Sequence, residues 1–92
     1  MFRLLVEQHV LAQINQLPAK EAQRFKEALK VLAPDPFPDG TDKKIIQGTK
    51  NTVYRLRAGG YRFFYIIMEG EQTVKVTEFL TAEQAHRKYG RL

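Results

Sequence analysis

The hydrophobic positions in the first third of the chain predict one strand and two helices. Residues 2–6 place apolar side chains at every second position, which is typical of a short strand. Residues 8–17 and 19–32 follow helical spacing, and Pro18 separates them because proline lacks the N–H and crowds the preceding turn. The predicted apolar stripes are Leu11, Ile14 and Leu17 in the first helix, and Ala22, Phe25, Leu29 and Leu32 in the second. Two helices joined so closely are expected to pack as an antiparallel hairpin.

The second half of the chain predicts a loop followed by three strands. Three of the four prolines lie within residues 33–42, which we therefore interpret as a connecting loop. The predicted strands cover residues 53–58, 61–68 and 74–80. Gly59 and Gly60 turn the chain after the first of these strands. The middle strand is apolar or aromatic except at Arg62, which is the pattern of a central strand buried on both faces.

A final short helix completes the predicted fold. Thr81 and Gln84 stand at the spacing of a capping box, and Gly90 fits a helix C-terminus. The order β-α-α-β-β-β-α indicates an α+β fold. We expect a small, twisted, mainly antiparallel sheet with an N-terminal helical hairpin on one face and a short C-terminal helix. The chain has 92 residues, 43% of them hydrophobic, so we expect residues 1–92 to form a single domain with one core.

Composition narrows the class of protein. Cysteine is absent, which excludes disulfides and thiolate metal sites and makes the reducing cytoplasm the expected location. The two histidines lie far apart in the sequence and no carboxylate spacing suggests a metal site, so we expect neither a metal nor another cofactor. No apolar run approaches the roughly 18 to 20 residues that a membrane helix needs, and no signal peptide is recognisable. We therefore expect no membrane partner.

The excess of positive charge lies in one segment of the chain. Residues 43–68 contain six of the 15 Lys and Arg residues and none of the 10 Asp and Glu residues. These cations are Lys43, Lys44, Lys50, Arg55, Arg57 and Arg62. Because the same segment has the strongest strand pattern, the sequence predicts a basic patch carried on a sheet. Such a patch suits a polyanion, either a nucleic acid or an acidic protein.

Three arginines of this segment form the candidate site. Arg55 and Arg57 share a strand face, and Arg62 opens the neighbouring strand. In a tight hairpin, Arg57 and Arg62 are expected to lie nearly opposite each other, about 5–8 Å apart at Cβ. Three guanidiniums on one face are costly unless they meet phosphates or carboxylates. The alternative interpretation is a solvated arginine-rich face, or ion pairs with acids of the predicted helices.

The same hairpin carries a recognisable run of glycine, arginine and aromatic residues. The run consists of Gly48, then Tyr54-Arg55-Leu56-Arg57, then Ala58-Gly59-Gly60-Tyr61-Arg62-Phe63-Phe64-Tyr65. It resembles the motif of the RelE/ParE superfamily of toxin–antitoxin toxins. The chain length, the predicted N-terminal elements and an aromatic residue near the C-terminus agree as well, so the resemblance covers nearly the whole chain. It implies a RelE-like fold and favours the RelE branch, whose members cleave mRNA in the ribosomal A site.

The resemblance implies a type II toxin that inhibits translation as an mRNA interferase, a ribosome-dependent endoribonuclease. The 2′-OH of the mRNA would attack the adjacent phosphorus without a metal, and the 5′-oxygen would leave. Arg62 would hold the scissile phosphate, while Arg55 and Arg57 would supply charge. Tyr89 would stack on a base or orient it. A cognate acidic antitoxin is expected to hold the toxin inactive by wrapping a helix over the arginine face.

The C-terminal segment departs from the family pattern. The family has an arginine directly after the last strand, whereas this chain has Leu-Thr-Ala-Glu at 80–83 and a later basic cluster. The sequence therefore leaves two candidates for the proton donor. His86 has a side chain that ordinarily titrates near neutral pH, and Arg87 is the alternative. His86 also has the plain interpretation of a solvent-exposed helix residue. The predicted RNA-binding residues are Lys43, Lys44, Lys50, Arg87 and Lys88.

Two other functions fit the same sequence. A ParE-like protein of the same fold would bind DNA gyrase without cutting RNA, and the displaced basic cluster leaves room for this alternative. A plain RNA-binding module could use the same basic patch without catalysis. A translation reaction and a gyrase supercoiling assay, run side by side, separate the three functions.

Overall fold

A computed structural model describes residues 1–46 and 51–90 of the chain. The strands are β1 (Arg3–Val6), β2 (Lys43–Ile46), β3 (Val53–Ala58), β4 (Tyr61–Met68) and β5 (Thr73–Thr81). The α-helices are α1 (Gln8–Asn15), α2 (Ala19–Leu29) and α3 (Ala82–Tyr89), and 3₁₀ turns cover Lys30–Leu32 and Glu69–Glu71. The predicted α+β fold is confirmed. Gly48 and Lys50, which the sequence singled out, lie outside the described residues.

The five strands form one mixed sheet in the order β1-β5-β4-β3-β2. The pairs β2–β3, β3–β4 and β4–β5 are antiparallel, and β1 runs parallel to β5. The mainly antiparallel sheet was predicted, and so was the central place of β4. Its middle residues are buried on both faces, as a strand with neighbours on both sides and layers above and below should be.

The sequence missed β2 as a strand. Its four residues are two lysines followed by two isoleucines, so the segment has no alternation of apolar and polar side chains. Its strand geometry comes from antiparallel pairing with β3, in which Lys44 lies opposite Arg55 and Ile46 opposite Val53. A short edge strand of this kind is defined by its neighbour rather than by its own pattern.

Both N-terminal helices end earlier than their periodicity predicted. α1 ends at Asn15, and its buried residues are Val10 and Ile14, whereas Leu11 is 41% exposed. Leu11 was therefore wrongly placed on the core stripe. α2 ends at Leu29 and continues into the 3₁₀ turn. Its predicted stripe is confirmed, because Ala22, Phe25, Leu29 and Leu32 are all buried.

The sheet has two differently covered faces. On one face, buried residues of α1 and α2 form a cluster with residues of β3, β4 and β5, including Leu56, Phe63 and Tyr65. On the other face, Phe64 forms a second, smaller cluster with Ala85 of α3 and with Ile46 of β2. Successive side chains of a strand point to opposite faces. The helix-covered face therefore fixes which residues of β3 and β4 point away from it.

The turn between β3 and β4 requires glycine at its first position. Gly59 has φ +59°, in the left-handed region that a residue with a Cβ adopts only at a cost. The resulting tight hairpin sets the register in which Arg57 lies opposite Arg62 and Ala58 opposite Tyr61. The predicted proximity of these two arginines is confirmed.

Candidate functional site

Three arginines of β3 and β4 lie on the sheet face opposite α1 and α2. Leu56 and Phe63 point into the helix-covered core, so the neighbouring Arg55, Arg57 and Arg62 point to the other face. Arg57 and Arg62 are directly opposite each other in the register. We call these three residues the arginine cluster.

Arg55 is the buried member of the arginine cluster, with only 3% of its surface exposed. Its Nη2 donates hydrogen bonds to the backbone oxygens of Thr41, at 2.9 Å, and of Asp42, at 3.3 Å. Its Nε has no hydrogen-bond partner in the part of the chain that the structure describes. Burial lowers the pKa of Arg55, and the charges of Arg62 and Arg57 lower it further. Arg55 therefore braces the loop before β2.

Arg57 is half exposed and is the one member of the cluster with a carboxylate partner among the described residues. Its Nε and Nη2 lie 3.3 Å and 3.2 Å from the same oxygen, Oδ1 of Asp42. Its backbone N–H also donates to the backbone oxygen of Asp42, at 2.8 Å. The sequence offered the acids of the helices as partners for the arginines, but the acid that pairs with Arg57 belongs to the loop.

Arg62 donates hydrogen bonds to two backbone oxygens. Its Nη1 donates to the carbonyls of Gly59 and Tyr61, each at 2.9 Å. Within residues 1–46 and 51–90, no carboxylate forms an ion pair with it. Burial lowers the pKa of Arg62, and the charge of Arg57 adds to this effect. Among the described residues, the arginine cluster thus brings three cations together with one ion-paired carboxylate, which leaves a local excess of positive charge.

The two lysines of β2 have different environments. Lys44 is exposed and lies opposite Arg55 in the register, so it extends the positive face towards the sheet edge. Lys43 is 8% exposed, and its Nζ donates to the backbone oxygen of Asp35 at 2.6 Å. The expectation of Lys43 on an open RNA-binding surface does not fit this burial, because its ammonium group holds the loop instead.

α3 lies on the same face as the arginine cluster. Thr81 and Gln84 form the predicted capping box, and Gly90 follows the helix with φ +81°. Leu80, at the end of β5, lies opposite Arg62 and packs in the cluster that includes Ala85 of α3. The C-terminal helix therefore borders the arginine cluster.

Tyr89 of α3 packs against the sheet. Its ring lies on Phe64, with the centroids 4.5 Å apart, and its hydroxyl donates to the carboxylate of Glu78. Burial raises the pKa of Tyr89, and the hydrogen bond to Glu78 raises it further. Lys88 also pairs with Glu78. In this arrangement the ring of Tyr89 covers the sheet, and base stacking would need it to leave Phe64.

His86 and Arg87 are exposed residues of the predicted C-terminal site. The structure describes no side-chain hydrogen bond or ion pair for either of them within residues 1–46 and 51–90. They lie on α3, on the face that carries the arginine cluster. The exposure of His86 agrees with both of its interpretations, the proton donor and the plain surface residue.

Sequence reasoning missed two acids of the site, Asp42 and Glu78. Asp42 directly precedes the acid-free segment, and only the folding of the loop onto β3 brings it to Arg57. Glu78 lies opposite Phe64 in the register, which places it under α3. The polar position of Glu78 in an alternating strand was a signal for its face, but nothing in the sequence indicated its partners.

The described residues contain no group of three or more His, Cys, Asp or Glu side chains placed to hold a metal ion. No helix among them is long and apolar enough to cross a membrane.

Comparison with known proteins finds similarity to RelE toxins, although no protein-family model matches the chain. It is 26% identical over 87 residues to "Putative toxin RelE1" of Methanocaldococcus jannaschii, covering 94% of this chain and 96% of that protein. The archaeal RelE–RelB complex from Pyrococcus horikoshii OT3 contains a chain with 26% identity and a TM-score of 0.73. This match covers 87% of our chain and 93% of the other. The isolated Escherichia coli RelE toxin, at 17% identity, has a TM-score of 0.70 over 96% of this chain and 98% of its own.

The archaeal match extends over nearly all of both chains, and the bacterial toxin shares the fold. The resemblance inferred from the sequence is thereby confirmed: over nearly its whole length, the chain is similar to RelE toxins.

Proposed function

We propose that this protein is the toxin of a type II toxin–antitoxin system and acts as a ribosome-dependent mRNA endonuclease in the cytoplasm. The observation that supports this most is the pairing of Arg57 with Arg62 across the β3–β4 hairpin. Two guanidiniums held directly opposite each other, with one carboxylate near them, favour an anion with several oxygens. A phosphodiester of RNA is such an anion.

The proposed reaction uses the substrate's own 2′-OH as the nucleophile. The 2′-oxygen bonds to phosphorus as the bond from phosphorus to the 5′-oxygen breaks, and the products are a 2′,3′-cyclic phosphate and a 5′-hydroxyl. The 2′-OH gives up its proton and the leaving oxygen gains one, so protons balance. The transition state carries extra negative charge on the phosphoryl oxygens, and fixed cations stabilise it.

Each member of the arginine cluster has a distinct proposed role. Arg62 is anchored by two backbone carbonyls and has no carboxylate partner among the described residues, which suits a phosphate clamp. Arg57 supplies a second guanidinium beside it. Arg55 is buried, so it contributes by bracing the loop and by charge at a distance rather than by touching RNA. Lys44, Arg87 and Lys88 are the proposed docking charges for RNA.

The proposed inhibitor is an acidic antitoxin that covers the arginine cluster. Solved relatives include a RelE–RelB complex, and by analogy we expect an antitoxin partner here. Carboxylates laid over Arg57 and Arg62 would occupy the donors that a phosphate needs. The same residues would then serve both catalysis and neutralisation.

The test of the proposed function is cleavage of mRNA on programmed ribosomes by the Arg62→Ala variant. Loss of one charged transition-state contact should slow single-turnover cleavage about 10²- to 10³-fold. Arg3→Ala is the matched control, because Arg3 is an exposed arginine on the edge strand β1, beyond β5. Full activity in a folded Arg62→Ala protein, or an equal loss in Arg3→Ala, would contradict the assignment.

His86→Gln tests the proposed proton donor. An imidazole donor supplies a proton that glutamine cannot, so the variant should cleave mRNA more slowly than wild type. Wild-type cleavage by His86→Gln would move the role to Arg87 or to water. Inhibition of gyrase supercoiling without mRNA cleavage would identify the ParE-like alternative, and RNA binding without either activity would identify a binding module.

A further inference from the structure

The backbone of residues 39–42, which we call the corner before β2, is held by hydrogen bonds from two sides. Asp39 Oδ1 accepts hydrogen bonds from the backbone N–H groups of Thr41, at 2.9 Å, and of Lys43, at 3.0 Å. From the sheet side, the buried Arg55 donates to the backbone oxygens of Thr41 and Asp42. These bonds involve the backbone of the corner, so the position of Asp42 is set independently of its own carboxylate.

The carboxylate of Asp42 occupies one particular edge of Arg57. Its Oδ1 accepts hydrogen bonds from both Nε and Nη2 of Arg57. These two nitrogens form the edge that a guanidinium uses for side-on binding of carboxylates and phosphates. The side chains of Asp42 and Arg57 are 57% and 49% exposed. An ion pair this open to water is weak, because solvent competes for both charges.

We propose that Asp42 is a resident counter-ion of Arg57, which an RNA phosphate must displace before Arg57 can contact it. The proposal rests on the proposed function in one respect, that the competing anion is RNA. Asp42 thereby holds Arg57 in one orientation while the site is empty and weakens RNA binding by its competition.

Removal of the Asp42 charge should therefore strengthen RNA binding. Exposed ion pairs are worth a few tenths to about 1 kcal/mol, which corresponds to a gain of about two- to fivefold in affinity. The isosteric Asp42→Asn change leaves the backbone bonds from Arg55 and Arg57 in place, so the fold should be retained. Asp42→Ser removes the charge in a second way.

The experiment measures binding of a short 2′-O-methyl oligoribonucleotide, which cannot be cleaved, at low ionic strength. Glu71→Gln is the control, because it removes one negative charge at the far end of β4, in the turn before β5. We expect Asp42→Asn to bind about two- to fivefold more tightly than wild type and Glu71→Gln to change binding less. An equal gain in both variants, weaker binding by Asp42→Asn, or no binding by any variant overturns the proposal.

A double variant isolates the contact between the two side chains. In an Arg57→Gln background, Asp42→Asn should give no more gain than Glu71→Gln does, because the guanidinium for which Asp42 competes is gone. A persistent gain would show that Asp42 acts by general charge and would overturn the proposal. Cleavage plays no part in these measurements. A failure of mRNA cleavage by the wild type would therefore refute the proposed function alone.

Discussion

The hydroxyl of Tyr65 tests how the loop before β2 is held on the sheet. Tyr65 is fully buried in β4, and its hydroxyl donates a 2.7 Å hydrogen bond to the backbone oxygen of Pro36. Its ring is stacked on Tyr54, with the centroids 5.5 Å apart. Tyr65→Phe keeps the ring and removes one oxygen, so the Pro36 carbonyl, which belongs to a fully buried residue, loses its donor.

The expected cost of Tyr65→Phe follows from that unsatisfied carbonyl. A buried polar group left without a partner costs about 1–3 kcal/mol. For a domain of this size, each kcal/mol lowers the melting temperature by about 4–8 °C. With an m-value near 1 kcal/mol/M, the urea midpoint should fall by about 1–3 M while m itself stays constant.

Tyr54→Phe is the matched control for Tyr65→Phe. It removes the same atom from the neighbouring ring, and the described residues give the Tyr54 hydroxyl no hydrogen-bond partner. We expect a change within about 0.5 kcal/mol. If the two variants unfold at the same urea concentration, the bond from Tyr65 to Pro36 does not hold the loop, and the reasoning is refuted.

A pH series gives a second readout of Tyr65. Burial raises the pKa of Tyr65, because its ionised form is poorly solvated in the core. The folded state therefore keeps the proton at a pH where the unfolded chain has lost it. The contribution of Tyr65 to the free energy of unfolding is present below about pH 10, the ordinary pKa of tyrosine, and is lost as pH rises further. Wild type should lose stability more steeply above pH 10 than Tyr65→Phe does.

Two further predictions concern acids that the fold positions. Backbone N–H groups of Lys43 and Thr41 lower the pKa of Asp39 to about 2, so its stabilising effect is present above about pH 4 and is lost as pH falls to 2. Asp39→Asn should flatten the fall of melting temperature between these pH values, and an unchanged slope would contradict the role of Asp39 in the loop. Glu78→Gln removes the carboxylate that joins Lys88 and Tyr89 to the sheet. Amide exchange should then quicken in α3 but not in β4, and equal protection in α3 of both proteins would show that Phe64 packing alone holds the helix.

Elements with a strong hydrophobic period or a strong stop signal could be predicted from the sequence. The stripe of α2 and the capping box of α3 were read correctly, because these features depend on residues a few positions apart. The opposition of Arg57 and Arg62 was predictable for the same reason, since a glycine turn sets the register of a tight hairpin.

Tertiary structure alone decided the elements whose pattern is weak. β2 lacks alternation and became a strand by pairing with β3. In α1, the spacing allowed two neighbouring stripes, and contact with the sheet buried Val10 and left Leu11 partly exposed. Helix and strand propensities predict an element poorly where packing against a distant element supplies most of the free energy that stabilises it.

For the charged residues of the candidate site, too, the sequence predicted one part and the tertiary structure determined the other. The sequence located the cations, because an acid-free segment is visible in the chain itself. It could not separate a buried Arg55 or Lys43 from an exposed Lys44, and it could not pair Asp42 with Arg57 or Glu78 with Tyr89. The residues of these two pairs lie 15 and 11 positions apart in the sequence. Their contacts depend on how the loop and α3 fold onto the sheet, and only the packed structure determines that.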